Sequence, residues 1–550
     1  MATAPDVKTA PGGSASGLLA RERTIAGPKF NRWLVPPAAL AIHLSIGMAY
    51  GFSVFWLPMT HLVTNPDMAT CQNLSFFQEL FTTTCNWTVP AVNHIFETFI
   101  AILGVAAAIW GHWLEHAGPR RAGFIAALSW GGGLVIGGIG VSIHQLWLVY
   151  LGCGVLGGIG QGLGYIAPVS SLIKWFPDRR GMATGFAIMG YGGGAMIGAP
   201  IAVKFMQYFS HNGVPGVAGA LMVLGVIYII AMSAGAFGFR VPPNGWKPEG
   251  WAPPAEASHP MITQHHVHLN KAWKTPQFWL IWAVLALNVT AGIGVISMAS
   301  PMLQDVFGSK LLGVDITTTL TTAQKAAIVA SAAGLVGLIS LFNSLGRLIW
   351  AWASDFIGRK NTYYTFFILG IILYCGMPTL GHMGLAGMFV ISICIILSMY
   401  GGGFATAPAY LADIFGTQMV GAIHGRLLTA WSVAGIIGPV LIAGLRQTQL
   451  NAGVAKNLVY DRTLYILAGL LVVGMICNFL VKPVKEEDTM SEAELEHERS
   501  LQHEAPHVAA GAQDAARGSF GFGGVIAWAL VGIPFLIGVW IAISKAAALF

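Results

Sequence analysis

The chain has 550 residues, of which 55% are hydrophobic and only 9% charged, with mean hydropathy +0.66 and net charge +6. Soluble domains carry roughly 25% charged residues, so a water-solvated core is excluded and a lipid-solvated one implied. The basic excess is scattered through short interhelical stretches, which excludes a nucleic-acid-binding surface and points to membrane orientation signals.

The first 32 residues are polar and lack an apolar run. They read as a disordered cytosolic arm and not as a secretory signal. A membrane helix needs about 20 mostly apolar residues. Twelve such windows follow, centred near 45, 102, 132, 156, 192, 226, 290, 338, 371, 397, 433 and 472. The 70 glycines suit them, because small residues let membrane helices approach closely. Six windows occupy 33–239, and six more occupy 277–482. Between them a polar cytosolic linker, 240–276, holds Pro242, Pro243, Pro248, Pro253, Pro254 and Pro260. A polar tail, 483–518, leads to a thirteenth apolar window within 519–550. The expected fold is an all-α membrane protein: two pseudo-symmetric six-helix bundles plus one extra C-terminal transmembrane helix.

Lysine and arginine set the expected orientation. With the N-terminus in the cytoplasm, inside loops hold Arg120, Arg121, Lys174, Arg179, Arg180, Arg359 and Lys360, while the first outside loop, 60–91, holds neither residue type. A multi-pass protein of the plasma or inner membrane is expected. Cys71 and Cys85 lie in that outside loop, where they form a bridge or remain two free thiols. Cys153, Cys375, Cys394 and Cys477 fall in apolar windows as core residues. Asn73 and Asn86 open glycosylation sequons, relevant only in a eukaryotic secretory pathway.

An internal repeat follows the second and eighth windows. The first copy holds Gly111, Glu115, His116, Gly118, Arg120 and Arg121; the second holds Asp355, Gly358, Arg359 and Lys360. Each gives an acid, a glycine three residues on and a basic pair. Glycine permits the tight turn, and the acid pairs locally or sits against a helix N-terminus. Duplicated halves with sites near the midplane are a common plan of secondary transporters.

The repeat resembles the signature loop of the major facilitator superfamily over residues 33–482, with Glu115 and His116 departing from that family's usual aspartate and arginine. A narrower resemblance rests on Tyr50-Gly-Phe-Ser-Val-Phe, Lys174-Trp-Phe-Pro-Asp-Arg-Arg-Gly, Asn343-Ser-Leu-Gly346-Arg347 and Gly402-Gly-Phe-Ala-Thr-Ala-Pro408. These segments look like the oxalate:formate antiporter family and its relatives, the monocarboxylate transporters. The resemblance implies secondary transport of small carboxylate anions through the lipid bilayer by alternating access, either as anion exchange or as proton symport.

Arg347 precedes Asp355 by eight residues, so it lies about 12 Å into the membrane at 1.5 Å per residue. An ionised residue at that depth defaults to function, and a guanidinium fork matches a carboxylate. In the resembled family the arginine at this position binds the substrate. Asn343, four residues earlier, shares its face and bonds the substrate or another helix. Monocarboxylate transporters usually carry a titratable aspartate there. Oxalate-handling relatives carry a lysine where Trp431 stands, so one cation remains and a monoanion is favoured over a dianion. His43 is the candidate second donor, or else bonds a backbone carbonyl. Tyr50 and Tyr165 line the cavity or merely pack. His424 and Arg426 are placed near the cytosolic face, close to Asp413.

His503-Glu504-Ala505-Pro506-His507 spells a zinc-protease motif, but Pro506 disfavours the helix it needs. No nucleophile, metal cluster or acid pair stands within the windows. Neither an enzyme nor a bound cofactor or metal is expected, and a non-transporting carboxylate receptor is the remaining distant alternative.

Overall fold

The structure, a computed structural model, describes residues 17–27, 29–63, 71, 74–243, 246–252, 261–311, 321–501 and 521–546. Its long helices are α1 (Arg32–Gly51), α2 (Val89–Ala117), α3 (Pro119–Ser142), α4 (Leu146–Trp175), α5 (Arg180–Tyr208), α6 (Val217–Gly238), α7 (Pro276–Leu311), α8 (Thr322–Ile357), α9 (Arg359–His382), α10 (Ala386–Phe415), α11 (Val420–Asn451), α12 (Lys456–Leu480) and α13 (Gly521–Ala546). All but α8 contain an apolar stretch long enough to cross a membrane among the described residues. Those residues include no β-strand, only the bridges Ile25–Val241 and His211–Val214. The Asn73 sequon and the 503–507 motif lie outside them.

The packing repeats itself with a shift of six helices. In the first half α1 packs on α5, α2 on α4 and α3 on α6; in the second, α7 packs on α11, α8 on α10 and α9 on α12. The seam between halves obeys the same rule, α2 against α11 and α5 against α8. Close approach is possible there because the facing residues are small. A Cβ at Gly111 would lie 3.0 Å from the Cα of Ala422, and one at Gly185 would lie 2.9 Å from the Arg347 carbonyl.

The two signature loops bracket one face, here called the basic face. Gly118 and Gly358 take φ of +81° and +85°, a left-handed turn that only glycine enters freely. The preceding acids then cap helices of the opposite half. Asp355 accepts from the Gly181 and Met182 amides, both at 2.8 Å, at the start of α5. Glu115 accepts from the Gly421 amide at 2.9 Å, at the start of α11. Orphan amides and the positive dipole end favour a carboxylate at both places. Arg359 braces the second copy, bonding Asp355 at 2.7 Å and Asp413 at 3.2 Å, while Arg180 reaches Asp413 at 2.9 Å. In the first copy Lys174 bonds Glu115 at 2.6 Å. Arg120 instead donates to the carbonyls of Leu18, Phe237 and Phe239.

Residues of the linker pack on this face. Thr263 N–H donates to the Asp413 carbonyl at 2.8 Å and Val267 N–H to Phe415 at 2.9 Å. A short tail helix, Glu492–Leu501, follows a strap in which Met490 N–H donates to the His266 carbonyl at 2.7 Å. On the opposite face Cys71 and Cys85 are joined by a disulfide. Asn86 does not offer a free amide: its Oδ1 accepts from Leu62 and Val63, and its Nδ2 donates to the Val63 carbonyl. That engagement opposes glycosylation at the second sequon. Helix α13 packs outside the bundles against α1, α5 and α8, with Trp528 Nε1 donating to the Trp33 carbonyl at 3.1 Å.

Candidate substrate site

Six helices aim aromatic and polar side chains at one buried point between the halves. Helix α1 loosens there: Gly47–Gly51 is 3-10 helical, and a Cβ at Gly47 would fall 2.9 Å from the Tyr191 Cα. The close approach brings Tyr50 against Tyr191 of α5, ring centroids 5.1 Å apart. Tyr165 of α4 packs on Tyr191 at 5.4 Å and on Trp431 of α11 at 5.3 Å. Tyr191 and Phe404 meet Trp431 at 5.3 and 4.8 Å, and Tyr400 of α10 packs edge-on against Phe404 at 5.2 Å. One hydrogen bond crosses the cage, Tyr50 OH to Tyr400 OH at 2.8 Å. It joins the two halves at the centre.

Arg347 enters this cage from α8. Its guanidinium carbon lies 5.4 Å from the Tyr191 ring centroid and 5.2 Å from that of Phe404. Its Nε donates to Asn343 Oδ1 at 3.1 Å. Asn343 therefore acts on the arginine, where the sequence left open a bond to the substrate or to another helix. With Nε held, the outer edge of the guanidinium faces the cage. Neither Nη1 nor Nη2 has a hydrogen-bond partner in the protein, and the side chain is 0% exposed. Burying an unpaired charge costs several kcal/mol, roughly, and two ring faces return about 0.5–2 kcal/mol each. The balance is unfavourable without an anion.

Other groups in the cage share that condition. Tyr191 Oη, Trp431 Nε1 and Nδ1 of His424 are buried without hydrogen-bond partners, while His43 approaches the backbone of Tyr165 and Ala187 and Tyr165 Oη approaches the Arg347 guanidinium. His43 packs edge-on against Tyr165 at 5.3 Å, one residue removed from Trp431. His424 was expected near the basic face beside Asp413. It instead meets Tyr165 at 5.8 Å, because α11 turns it inward one turn before Leu428. Arg426 does face outward, bonding the Leu269 carbonyl at 3.0 Å.

The structure thus brings together Arg347, Asn343, Trp431, Tyr50, Tyr165 and His43. It keeps Gly111, Glu115, Gly118, Arg120, Asp355, Gly358 and Arg359 apart from them, at the basic face. A separate cavity of about 590 Å³ opens on that face, lined by Asp178, Arg180, His266, Asp355, Arg359 and Asp413. Its charges already pair with one another, so the cage and not this vestibule is the candidate site.

A family model described as the Major Facilitator Superfamily matches residues 39–439 and 320–549. The chain belongs to the major facilitator superfamily. It is a multi-pass membrane transporter and not an enzyme. Among characterised proteins it is similar to the oxalate:formate antiporter of Oxalobacter formigenes, 27% identical over 342 residues that cover 61% of this chain and 71% of that one. It is also similar to monocarboxylate transporter 12 of Rattus norvegicus, 24% identical over 351 residues, 60% of this chain and 66% of the relative. A bacterial homologue of the iron transporter ferroportin, solved in an outward-facing state, superposes with a TM-score of 0.54 at 14% identity, covering 81% and 98% of the two chains. That likeness concerns the fold alone.

Tyr191, Tyr400 and Phe404 escaped the sequence reading. Phe404 stands inside the Gly402–Pro408 segment that carried the resemblance, and Tyr191 inside the glycine run Gly190–Gly194. An aromatic flanked by glycines on a membrane helix was the available signal. Tyr400, next to Gly401, has the same one.

Proposed function

We propose that this transporter moves small carboxylate anions of the formate, lactate and oxalate class by alternating access, as an exchanger. The basic face is cytoplasmic in this reading, with the N-terminus inside and the protein in the cell membrane. One observation carries it: a fully buried arginine whose terminal nitrogens meet only aromatic rings and tyrosine hydroxyls, in a cage with no carboxylate contacting it among the described residues. A carboxylate accepts two parallel bonds from such a fork. Asn343 fixes the fork, Tyr165 and Tyr191 offer hydroxyls, and Trp431 offers an indole N–H and an apolar wall. The names of the antiporter and monocarboxylate relatives agree with that chemistry. A single cation suits a monoanion; a dianion needs a further cationic donor, for which His43, packed on Tyr165, is the candidate.

Exchange follows from the cost of the empty state. Without an anion, the halves must close over an uncompensated charge, so the return step is slow unless a second anion rides it. Proton symport is the second reading. Asn343 cannot titrate, which leaves the buried His43 and His424 as its proton carriers.

Uptake of labelled formate, lactate and oxalate into proteoliposomes preloaded with each anion tests the proposal. Exchange of at least one anion by wild type and its loss in Arg347→Ala are expected. Wild type moving none of them, with or without a proton gradient, would sink the carboxylate assignment.

A further inference from the structure

The basic face carries a second group of polar side chains, unrelated to the cage. His112 and His116 lie one turn apart at the end of α2, with ring centroids 4.7 Å apart. His268 caps the short helix Leu269–Ala272, and Glu498 projects from the tail helix, 7% exposed. One potential ligand atom from each of His112, His268 and Glu498 lies within 4.8 Å of the others. The His268 Nε2 is 3.4 Å from Glu498 Oε1, and the His116 Nε2 is 3.5 Å from Oε2. A tetrahedral ion with bonds of about 2.0–2.1 Å spaces its donors about 3.3–3.4 Å apart.

The proton positions sharpen the point. His116 Nδ1 lies 3.0 Å from the His112 carbonyl, which only accepts, so the ring proton is on Nδ1. The ring's other nitrogen, Nε2, faces Glu498 Oε2. Both atoms are buried and neither has a hydrogen-bond partner. A cation between them, a proton or a metal ion, satisfies both atoms. The backbone bond to Nδ1 is also what fixes an imidazole for ligation through its other nitrogen. At His268 the cost is one bond: Nδ1 accepts from the Asn270 amide at 3.1 Å, and ligation through Nε2 moves the proton to Nδ1 and releases that cap.

We propose that His112, His268 and Glu498, with His116 beside them, bind a divalent transition-metal ion of the zinc class, and that the bound ion holds the basic face shut. Imidazole and carboxylate donors are the set such ions take. The ligands come from both sides of the seam. His112 and His116 ride on α2 of the first half. His268 is tied to the second half, where Leu269 N–H donates to Met419 Sδ and Arg426 bonds the Leu269 carbonyl. The tail reaches the same unit through Met490 and His266. The ion therefore bridges the α2–α11 seam that Glu115 and Gly421 close, and opening that seam requires a ligand to leave. The regulatory half of this inference rests on the alternating-access reading; the binding half does not.

The test uses the full chain in nanodiscs. Zn2+ titrated calorimetrically should bind at one ion per chain, and Co2+ should give the intense visible bands of a tetrahedral site. His112→Ala, an exposed position, and Glu498→Gln should each weaken Zn2+ at least tenfold while melting as wild type does. Absence of stoichiometric binding, or equal affinity in wild type and variants, would overturn the site. Closure is read without any substrate, from labelling of Ala422→Cys by a polar thiol reagent in a chain lacking the other free cysteines. Zn2+ should slow labelling at least fivefold, and adding His112→Ala should abolish the effect. Tight binding with unchanged labelling would overturn the lock. A carrier that moves no carboxylate yet passes both tests would sink the transport proposal and leave this one standing.

Discussion

Replacing Asn343 by aspartate should convert an anion site into a proton-gated one. Asn343 Oδ1 accepts from Arg347 Nε at 3.1 Å, and both residues are almost wholly buried. The substitution keeps the shape and adds a charge. At about 4 Å and an effective dielectric of about 20, opposite unit charges attract by about 4 kcal/mol, so the new carboxylate competes directly with substrate for the guanidinium. Desolvation offsets part of this; retaining about half, 2 kcal/mol, weakens binding roughly 30-fold, and the full value roughly 1000-fold. The sign of the pH dependence follows. An unperturbed aspartate titrates near 3.9, roughly, and the adjacent arginine lowers that in the free carrier. A bound substrate anion supplies a like charge and raises it. Binding then takes up a proton, so affinity is weakest above the bound-state value and recovers as pH falls below it towards the free-state value. Titration calorimetry with formate or lactate between pH 5 and pH 8 reads the affinity, and uptake under an inward proton gradient reads the coupling. An affinity within threefold of wild type at pH 7, or a wild-type-to-variant ratio constant with pH, would refute the placement of Asn343 against the substrate arginine.

Trp431→Lys should favour dianions: oxalate competition against labelled formate should strengthen at least tenfold relative to wild type, about 1.4 kcal/mol of added pairing, and an unchanged preference would disconnect Trp431 from selectivity. Asp355→Asn removes a charge from two amide caps and the Arg359 pair. Charged hydrogen bonds contribute about 1.5–3 kcal/mol each, so thiol labelling of Ala422→Cys from the basic face should accelerate at least tenfold. His266 lies in the docked linker, and burial, with Arg499 and Arg180 nearby, lowers its imidazole to about 4. Its contribution to docking is complete above about 6.5 and is lost as pH falls from there towards 4. Limited proteolysis of the linker should accelerate across that window in wild type, and His266→Gln should flatten the change.

The helices were legible because lipid leaves few options: every backbone group must bond within its own segment, so apolar length alone marks them. The repeat was legible because an acid, a glycine and a basic pair are local in sequence. Arg347 could be found by counting from Asp355, since a helix converts residue number into depth. What could not be counted was rotation. His424 and Arg426 are two residues apart, yet one faces the cage and the other faces the basic surface. Only packing against α2 and α4 decides which. The partner of Asn343 was hidden for a related reason. Sharing a face with Arg347 allows either a bond between them or a parallel reach into the cavity, and the Nε distance selects the first. The glycine-flanked tyrosines look like ordinary membrane packing until both halves are assembled around them.

Helix α8 connects the two features that matter for transport. It holds Arg347 in the cage and Asp355 in the latch, two turns apart on one rigid rod. The latch is uneven: Asp355 takes two amides and Arg359, whereas Glu115 takes one amide, Lys174 and the Ser170 hydroxyl. Opening the basic face must break both sets. Any tilt of α8 against α5 meets Gly185, which allows almost no clearance beside the Arg347 carbonyl. In the alternating-access proposal, an anion that neutralises the guanidinium lowers the electrostatic penalty of packing the cage during such a tilt, which would couple occupancy at Arg347 to rupture at Asp355. Helix α13 lies on the outside of this same α5–α8 seam, with Phe535 reaching Gly193 and Ala542 beside Leu341. A helix packed on both moving parts adds contacts that the tilt must shear. Its position puts it in contact with both sides of that seam, with α1 as a third neighbour.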